Sequence, residues 1–169
     1  MEHPSPHAGD LIAEVLAQSG VEYVFGQPGG QNAALHDGIK RRSDRIKHVI
    51  MRDERNFTYA ADGYARVTGK VGVCDTTVGP GSNLLPAGFI EALNASIPLL
   101  GIIAELPRDW LSLKQKGIAS QGYDQLSLFK TCSKEAFMVP TMEALPELLR
   151  AALRIATAPR PGPVALIIP

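Results

Sequence analysis

Residues 46–76, IKHVIMRDERNFTYAADGYARVTGKVGVCDT, decide the fold. Ile46–Met51 and Val71–Thr76 read as short apolar strands, and Asp53–Thr68 between them reads as a helix. A helix between two strands gives the long crossover that parallel strands need. Phe57, Ala60, Ala61, Tyr64 and Thr68 recur at helical spacing and predict the inward face. Gly69 ends the helix where a left-handed residue is wanted. Gly63 lies inside it, at a cost of about 1 kcal/mol relative to alanine. That glycine, with Ala60 and Ala61, predicts a close approach to the helix backbone and association through it.

The same alternation extends in both directions. Upstream, Asp10–Ser19 carries Ile12, Val15 and Leu16 at helical spacing, and Gly20 stops it. A strand at Val21–Gly26, a turn at Gln27–Gly30 and a helix at Asn32–Lys40 follow. Downstream, Gly79–Asn83 is a glycine-rich turn leading into a helix that runs to about Ala95. Ile97–Ala104 is an apolar strand. Leu106–Gln121 has no clear period and reads as a long loop able to close over neighbouring turns. A short helix at Tyr123–Thr131 and a strand at Glu135–Val139 come next. Glu143–Ala156 is an amphipathic helix with Leu145, Leu148, Leu149, Ala152 and Ala156 inward, and Pro163–Ile168 is a last strand. Uninterrupted apolar strands alternating with helices predict a doubly wound, mainly parallel six-stranded α/β sheet with helices on both faces. The expected division is a tail over 1–9 and one domain over 10–169. An end just past the last strand fits a natural or designed domain boundary.

Composition narrows the function classes. The 169 residues carry 17 basic and 17 acidic side chains, so no net charge favours nucleic acid. Lys40, Arg41, Arg42, Arg45 and Lys47 cluster without interleaved aromatics and read as a solvated helix end. Cys74 and Cys132 form no metal or redox motif, and Cys74 reads as a core thiol. His36 and His48 are isolated in sequence, and His3 and His7 lie in the expected tail. The N-terminus has no signal-peptide core, and no apolar run spans a bilayer. A reducing, cytoplasmic location without membrane contact is expected.

Sites in parallel sheets form beyond the carboxyl ends of the strands. Gln27–Gly30, Asp53-Glu54 and Gly79–Asn83 all fall there. The glycine turns could cradle a phosphate against a helix N-terminus but match neither of the common phosphate-binding motifs; they also read as tight connections, or as bare backbone for a flat ligand or another subunit. An acid in the first turn of a helix is ordinarily a partner of the helix dipole. Only one of Asp53 and Glu54 can face the sheet end, because neighbouring positions on a helix point about 100° apart.

Five ordered motifs carry a resemblance: GVEYVFGQPGG (20–30), RDERNFTYAADGYARVTGKVGV (52–73), VGPGSNLLPAG (78–88), the solitary Gln121, and ATAPRPGPVALIIP (156–169). From about Gly9 to Pro169 the chain resembles the N-terminal, pyrimidine-binding domain of thiamine-diphosphate enzymes, in the acetolactate-synthase-like branch. The resemblance implies that Glu54 hydrogen-bonds the cofactor pyrimidine and activates it. It implies that Pro28, Gly29 and Gly30 lie beside the reacting ring and substrate. Gly79, Pro80, Gly81, Ser82 and Asn83 would line the pyrimidine pocket, and Gln121 would face the bound intermediate. Gln31, Ser120 and Gly122 depart from the family pattern near the substrate. The family's diphosphate module, with its Gly-Asp-Gly start and later asparagine pair, is not encoded in these residues. Diphosphate and Mg2+ contacts are therefore expected from a partner domain or subunit, in a homo- or hetero-oligomer. The function implied is the pyrimidine-binding part of a 2-oxo acid decarboxylase or carboligase, inactive without that partner. Two other readings stay open: a non-catalytic assembly module that keeps the fold, and a nucleotide-binding doubly wound domain.

Overall fold

A computed structural model describes residues 7–169. Six parallel strands, β1 (Tyr23–Gly26), β2 (Lys47–Ile50), β3 (Gly72–Thr76), β4 (Leu99–Ala104), β5 (Glu135–Met138) and β6 (Pro163–Ile168), form one sheet in the order β2-β1-β3-β4-β6-β5. The middle strands β3, β4 and β6 are buried almost throughout, which is why they read as apolar runs. Among the described residues no helix is long and apolar enough to cross a membrane.

Helices cover both faces. On one side α1 (Ala8–Gln18), α2 (Ala33–Lys40) and α8 (Leu145–Thr157) enclose Leu16, Ile39, Leu149 and Leu166. On the other, α3 (Arg55–Thr68), α5 (Pro86–Ala95) and α7 (Gln125–Cys132) enclose Phe57, Phe89, Phe129 and Ile167. One helical turn, α4 (Pro80–Asn83), precedes α5, so the expected glycine turn is partly helical. Residues 106–121 are not a plain loop either. They hold a 3-10 turn, Arg108–Trp110, and a short helix, α6 (Leu111–Gln115). Lys114 Nζ pairs with buried Glu105 at 2.6 Å and anchors the middle of this segment.

Three further sequence expectations change. Helix α1 starts at Ala8, inside the expected tail, because His7 and Asp10 form a reciprocal capping box. His3 lies outside the described residues. The inward face of α3 is Phe57, Thr58, Ala61, Asp62 and Ala65, with Tyr64 half-buried and Thr68 exposed. The helix turns this way because it packs on both β3 and α5. A Cβ on Gly72 would lie 2.1 Å from the Ala61 carbonyl oxygen, and one on Gly88 would lie 2.0 Å from Thr58 Oγ1. A Cβ on Gly63 would meet nothing within 4 Å, so the close approach occurs at Gly72 and Gly88. Ala61 is spent inside the chain. Tyr59 and Val67 are the large apolar side chains that α3 leaves exposed.

The three arginines of the basic cluster pair with acids of α1 and α2, while Lys40 and Lys47 lie exposed. Arg42 bonds Glu14 at 2.7 Å and Asp10 at 3.0 Å, Arg45 bonds Glu14 at 2.7 Å, and Arg41 pairs with Asp10 and Asp37. Burial pushes the Asp10 carboxyl up, but hydrogen bonds from Arg41 and Arg42 outweigh it and hold Asp10 down to about 2. Arg45 and Arg42 hold Glu14 down to about 2. Carboxyl pKa values lowered by folding contribute stability above the unfolded values, and that contribution is lost as pH falls through the folded ones. Urea midpoints should therefore fall between about pH 5 and about pH 2.5. The fall should shrink in Arg42→Gln.

Candidate functional site

Because every strand points the same way, the segments leaving β1, β2, β3 and β4 gather at one end of the sheet. Strand β1 delivers Gln27, Pro28, Gly29 and Gly30, of which only Gly29 is half-buried. Strand β2 leads to Asp53 and Glu54, and Glu54 sits at the N-cap of α3 without a side-chain cap bond. Strand β3 leads through Thr76 and Thr77 to Gly79, whose φ of 75° is open to glycine at little cost.

Close approaches join these segments. A Cβ on Gly29 would lie 2.6 Å from Thr77 Cβ. One on Gly81 would lie 3.0 Å from Thr76 Oγ1 and 3.6 Å from Glu54 Oε1. One on Gly79 would lie 2.6 Å from Gln121 Cβ. Gly29, Thr77, Gly81 and Glu54 thus form one contiguous string, and Gln121 joins it through Gly79. Gln121 adopts φ 62°, a left-handed conformation uncommon outside glycine. Thr76 Oγ1 is buried without a hydrogen-bond partner beside Gly81.

The two acids divide their tasks. Asp53 accepts from Arg55 Nε at 2.9 Å and from the Arg55 backbone N–H at 3.0 Å. Those bonds hold its carboxyl down to about 2. Glu54, half-buried, has no such partner and is the acid free to meet a ligand.

Pro80 and Asn83 lie exposed on the turn, but Ser82 is turned inward and fully buried. Its Oγ donates to the Gly79 carbonyl at 2.9 Å, lies 2.9 Å from the Tyr123 hydroxyl, and bonds Gln125 Oε1. Gln125 Nε2 in turn donates to the Ala104 carbonyl at 3.1 Å. Ser82 therefore braces the turn from behind. Burial pushes the Tyr123 phenol up. Sequence reasoning missed Thr76, Thr77, Tyr123 and Gln125. The two threonines fall one residue ahead of the glycine turn, separated from it by Val78, and that position was the available signal.

A cleft of about 490 Å³ lies at the same end of the sheet but on the α1 side, between Gly9, Ile12, Leu35, Ile102 and Ile168. Gln31 and Asn32 line it. Glu54, Gly79 and Gly81 are not among its lining residues.

Comparison with known proteins places the chain in a family. Residues 6–128 match the family model for the thiamine pyrophosphate enzyme, N-terminal TPP binding domain. Acetolactate synthase 2, chloroplastic, from Brassica napus is 36% identical over 165 residues, covering 97% of this chain and 25% of that protein. Acetolactate synthase from Arthrospira platensis is 38% identical, over 94% of this chain and 27% of its own length. The acetolactate synthase isozyme 2 large subunit of Escherichia coli (strain K12) is 37% identical, over 94% and 28% respectively. The chain spans about a quarter of the length of these relatives. With that match across most of its length, the chain belongs to the thiamine pyrophosphate enzyme family, as an N-terminal TPP-binding domain of the acetolactate-synthase-like kind.

Proposed function

We propose that the chain supplies the pyrimidine-binding half of a thiamine diphosphate site in a 2-oxo acid decarboxylase or carboligase. The observation that carries this is the unpartnered Glu54 carboxylate beside Gly81, in a cradle that a single Cβ would crowd. A flat aminopyrimidine suits such a cradle, since bare backbone lets a ring lie close. The orphaned Thr76 hydroxyl gives the same place an unused polar group.

Bound thiamine diphosphate supplies the electron sink for cleaving the bond to the carboxylate of a 2-oxo acid. The chain's own residues do the rest. Glu54 holds a proton against a ring nitrogen and moves it as the reaction needs. Gly79 and Gly81 let the ring approach the backbone, with Pro80 and Asn83 at the rim and Ser82 bracing them. Pro28, Gly29 and Gly30 line the substrate side. Gln121, exposed and fixed against Gly79, offers hydrogen bonds to the reacting substrate.

Mg2+ and the diphosphate belong to a partner domain or subunit carrying the Gly-Asp-Gly module that these 169 residues lack. Tyr59 and Val67 on α3, with Ile90 on α5, are exposed apolar side chains suited to that contact. The test combines the chain with a diphosphate-domain partner, thiamine diphosphate and Mg2+, and follows 2-oxo acid consumption. The chain alone should give no turnover and the mixture should. A mixture that sediments as a complex yet consumes no 2-oxo acid would favour an assembly module.

A further inference from the structure

Behind the β1 turn lies a buried polar network that the proposed chemistry does not use. Asp75, on β3, is fully buried. Its Oδ1 accepts from His48 Nε2 at 2.6 Å, and its Oδ2 accepts from His36 Nε2 at 2.9 Å and from Asn32 Nδ2 at 2.7 Å. The donors come from β2, α2 and the residue that starts α2. Room for the carboxylate is made by Gly26, where a Cβ would lie 2.0 Å from Asp75 Oδ1. A carboxylate inside a parallel sheet is costly unless it is fully hydrogen-bonded. Burial pushes Asp75 up, and the two histidine bonds outweigh it, keeping the group ionised.

Three potential ligands so close also resemble a metal site. The second nitrogen of His48 argues otherwise. His48 Nδ1 is buried without a partner, whereas a metal-bound imidazole normally gives its other N–H to an acceptor. The geometry instead puts the His48 proton on Nε2, facing Asp75, and leaves Nδ1 bare.

The network has an output. Asn32 is 5% exposed, and its side chain spans the β1 turn. Asn32 Nδ2 also donates to the Gln27 carbonyl at 3.0 Å, and Asn32 Oδ1 accepts from the Gly29 N–H at 2.6 Å. An ionised carboxylate accepts only, so Asp75 must face the Asn32 NH2. That fixes which way the amide points and leaves its oxygen for Gly29.

We propose that Asp75, held by His36 and His48, is a positioning residue that orients Asn32 and thereby sets the Gln27–Gly30 turn. The proposal rests on the reading of that turn as part of the cofactor site, but its test needs no cofactor. In Asp75→Asn an NH2 group replaces one acceptor and faces donors, so Asn32 loses its fixed orientation and Gly29 its acceptor.

The test is amide hydrogen exchange by NMR on the 169-residue chain. Asp75→Asn should speed exchange at Gly29 by about 10-fold or more, an equilibrium shift equal to a lost hydrogen bond. Ile102 and Leu166, in the sheet core, should be unchanged. His36→Gln, which keeps an N–H donor, should hold Gly29 near the wild-type rate, and His36→Leu should not. This histidine pair gives the same readout if Asp75→Asn does not fold. Three results would overturn the proposal: unchanged Gly29 exchange in folded Asp75→Asn, exchange rising in step at Ile102, or stoichiometric zinc binding by the wild type that His36→Gln abolishes. Should the exchange pattern hold while the reconstituted mixture stays inactive, the positioning role stands and the functional reading fails.

Discussion

Glu54→Gln should lower turnover of the reconstituted mixture by about 10²–10⁴-fold, the usual scale for loss of a positioned proton-transfer group. Glutamine keeps the size of the side chain and removes its ability to hold and release a proton. Folding should scarcely register the change. Glu54 makes no side-chain cap bond, so its structural contribution is a charge near a helix start, worth about 0.3–1 kcal/mol. The two magnitudes separate the readings. A dipole partner predicts a small loss of stability and no loss of rate, and a catalytic carboxylate predicts the reverse. Asp53→Asn is the internal control. Asp53 is committed to Arg55, so its loss should cost some stability and change turnover by less than about 3-fold, well below the scale of a lost catalytic group. Rates and thermal midpoints measured on both variants check this, and full turnover in Glu54→Gln would end the assignment.

What the sequence disclosed follows from how local each signal is. The strand at Pro163–Ile168 could be read directly, because a strand buried on both faces is a run of apolar residues and nothing else. The C-terminal end of α3 was legible too, since Gly69 with φ 72° is a local requirement. The inward face of α3 was legible only in part: Phe57 and Ala61 could be read, Thr58, Asp62 and Ala65 could not. It depends on contacts at Gly72 and Gly88, which lie in other elements. Residues 106–121 escaped for another reason. A 3-10 turn of three residues and a helix of five are too short to show helical periodicity.

The candidate site shows the same divide. Glu54, Gly79 and Gly81 were found through motifs, and the structure adds Thr76 and Thr77 only because β3 carries them under the turn. The Asp75 network was harder. His36, His48 and Asp75 come from three elements, separated by up to 39 positions, and each looks isolated alone. One signal was present: an aspartate inside the strand GVCDT, whose other side chains carry no charge. A lone acid there must be satisfied by something, and His36 within α2 and His48 within β2 are the donors that the fold brings to it.

Phe89→Ala should cost about 3–5 kcal/mol, the range for truncating a fully buried phenylalanine. Phe89 is 0% exposed and packs edge-on against Phe129, with ring centroids 5.1 Å apart. Its ring also fills the space over Gly101, where a Cβ would lie 2.6 Å from Phe89 Cζ. Sheet and helix therefore share one volume: β4 gives up a side chain so that α5 can insert a ring. For a domain of this size the loss lowers the thermal midpoint by roughly 10 °C. A large part of a total stability of about 5–15 kcal/mol would go with it. Gly101→Ala alone should also destabilise, by about 1–3 kcal/mol, because the ring cannot move aside in a packed core. Combined with Phe89→Leu, which shortens the side chain, the new methyl group has room. The double variant should then be more stable than the sum of the singles by about 1 kcal/mol. Urea unfolding of the four proteins measures that coupling. Simple additivity would mean that the ring and the glycine do not compete for the same space, and that α5 is held to the sheet by some other contact.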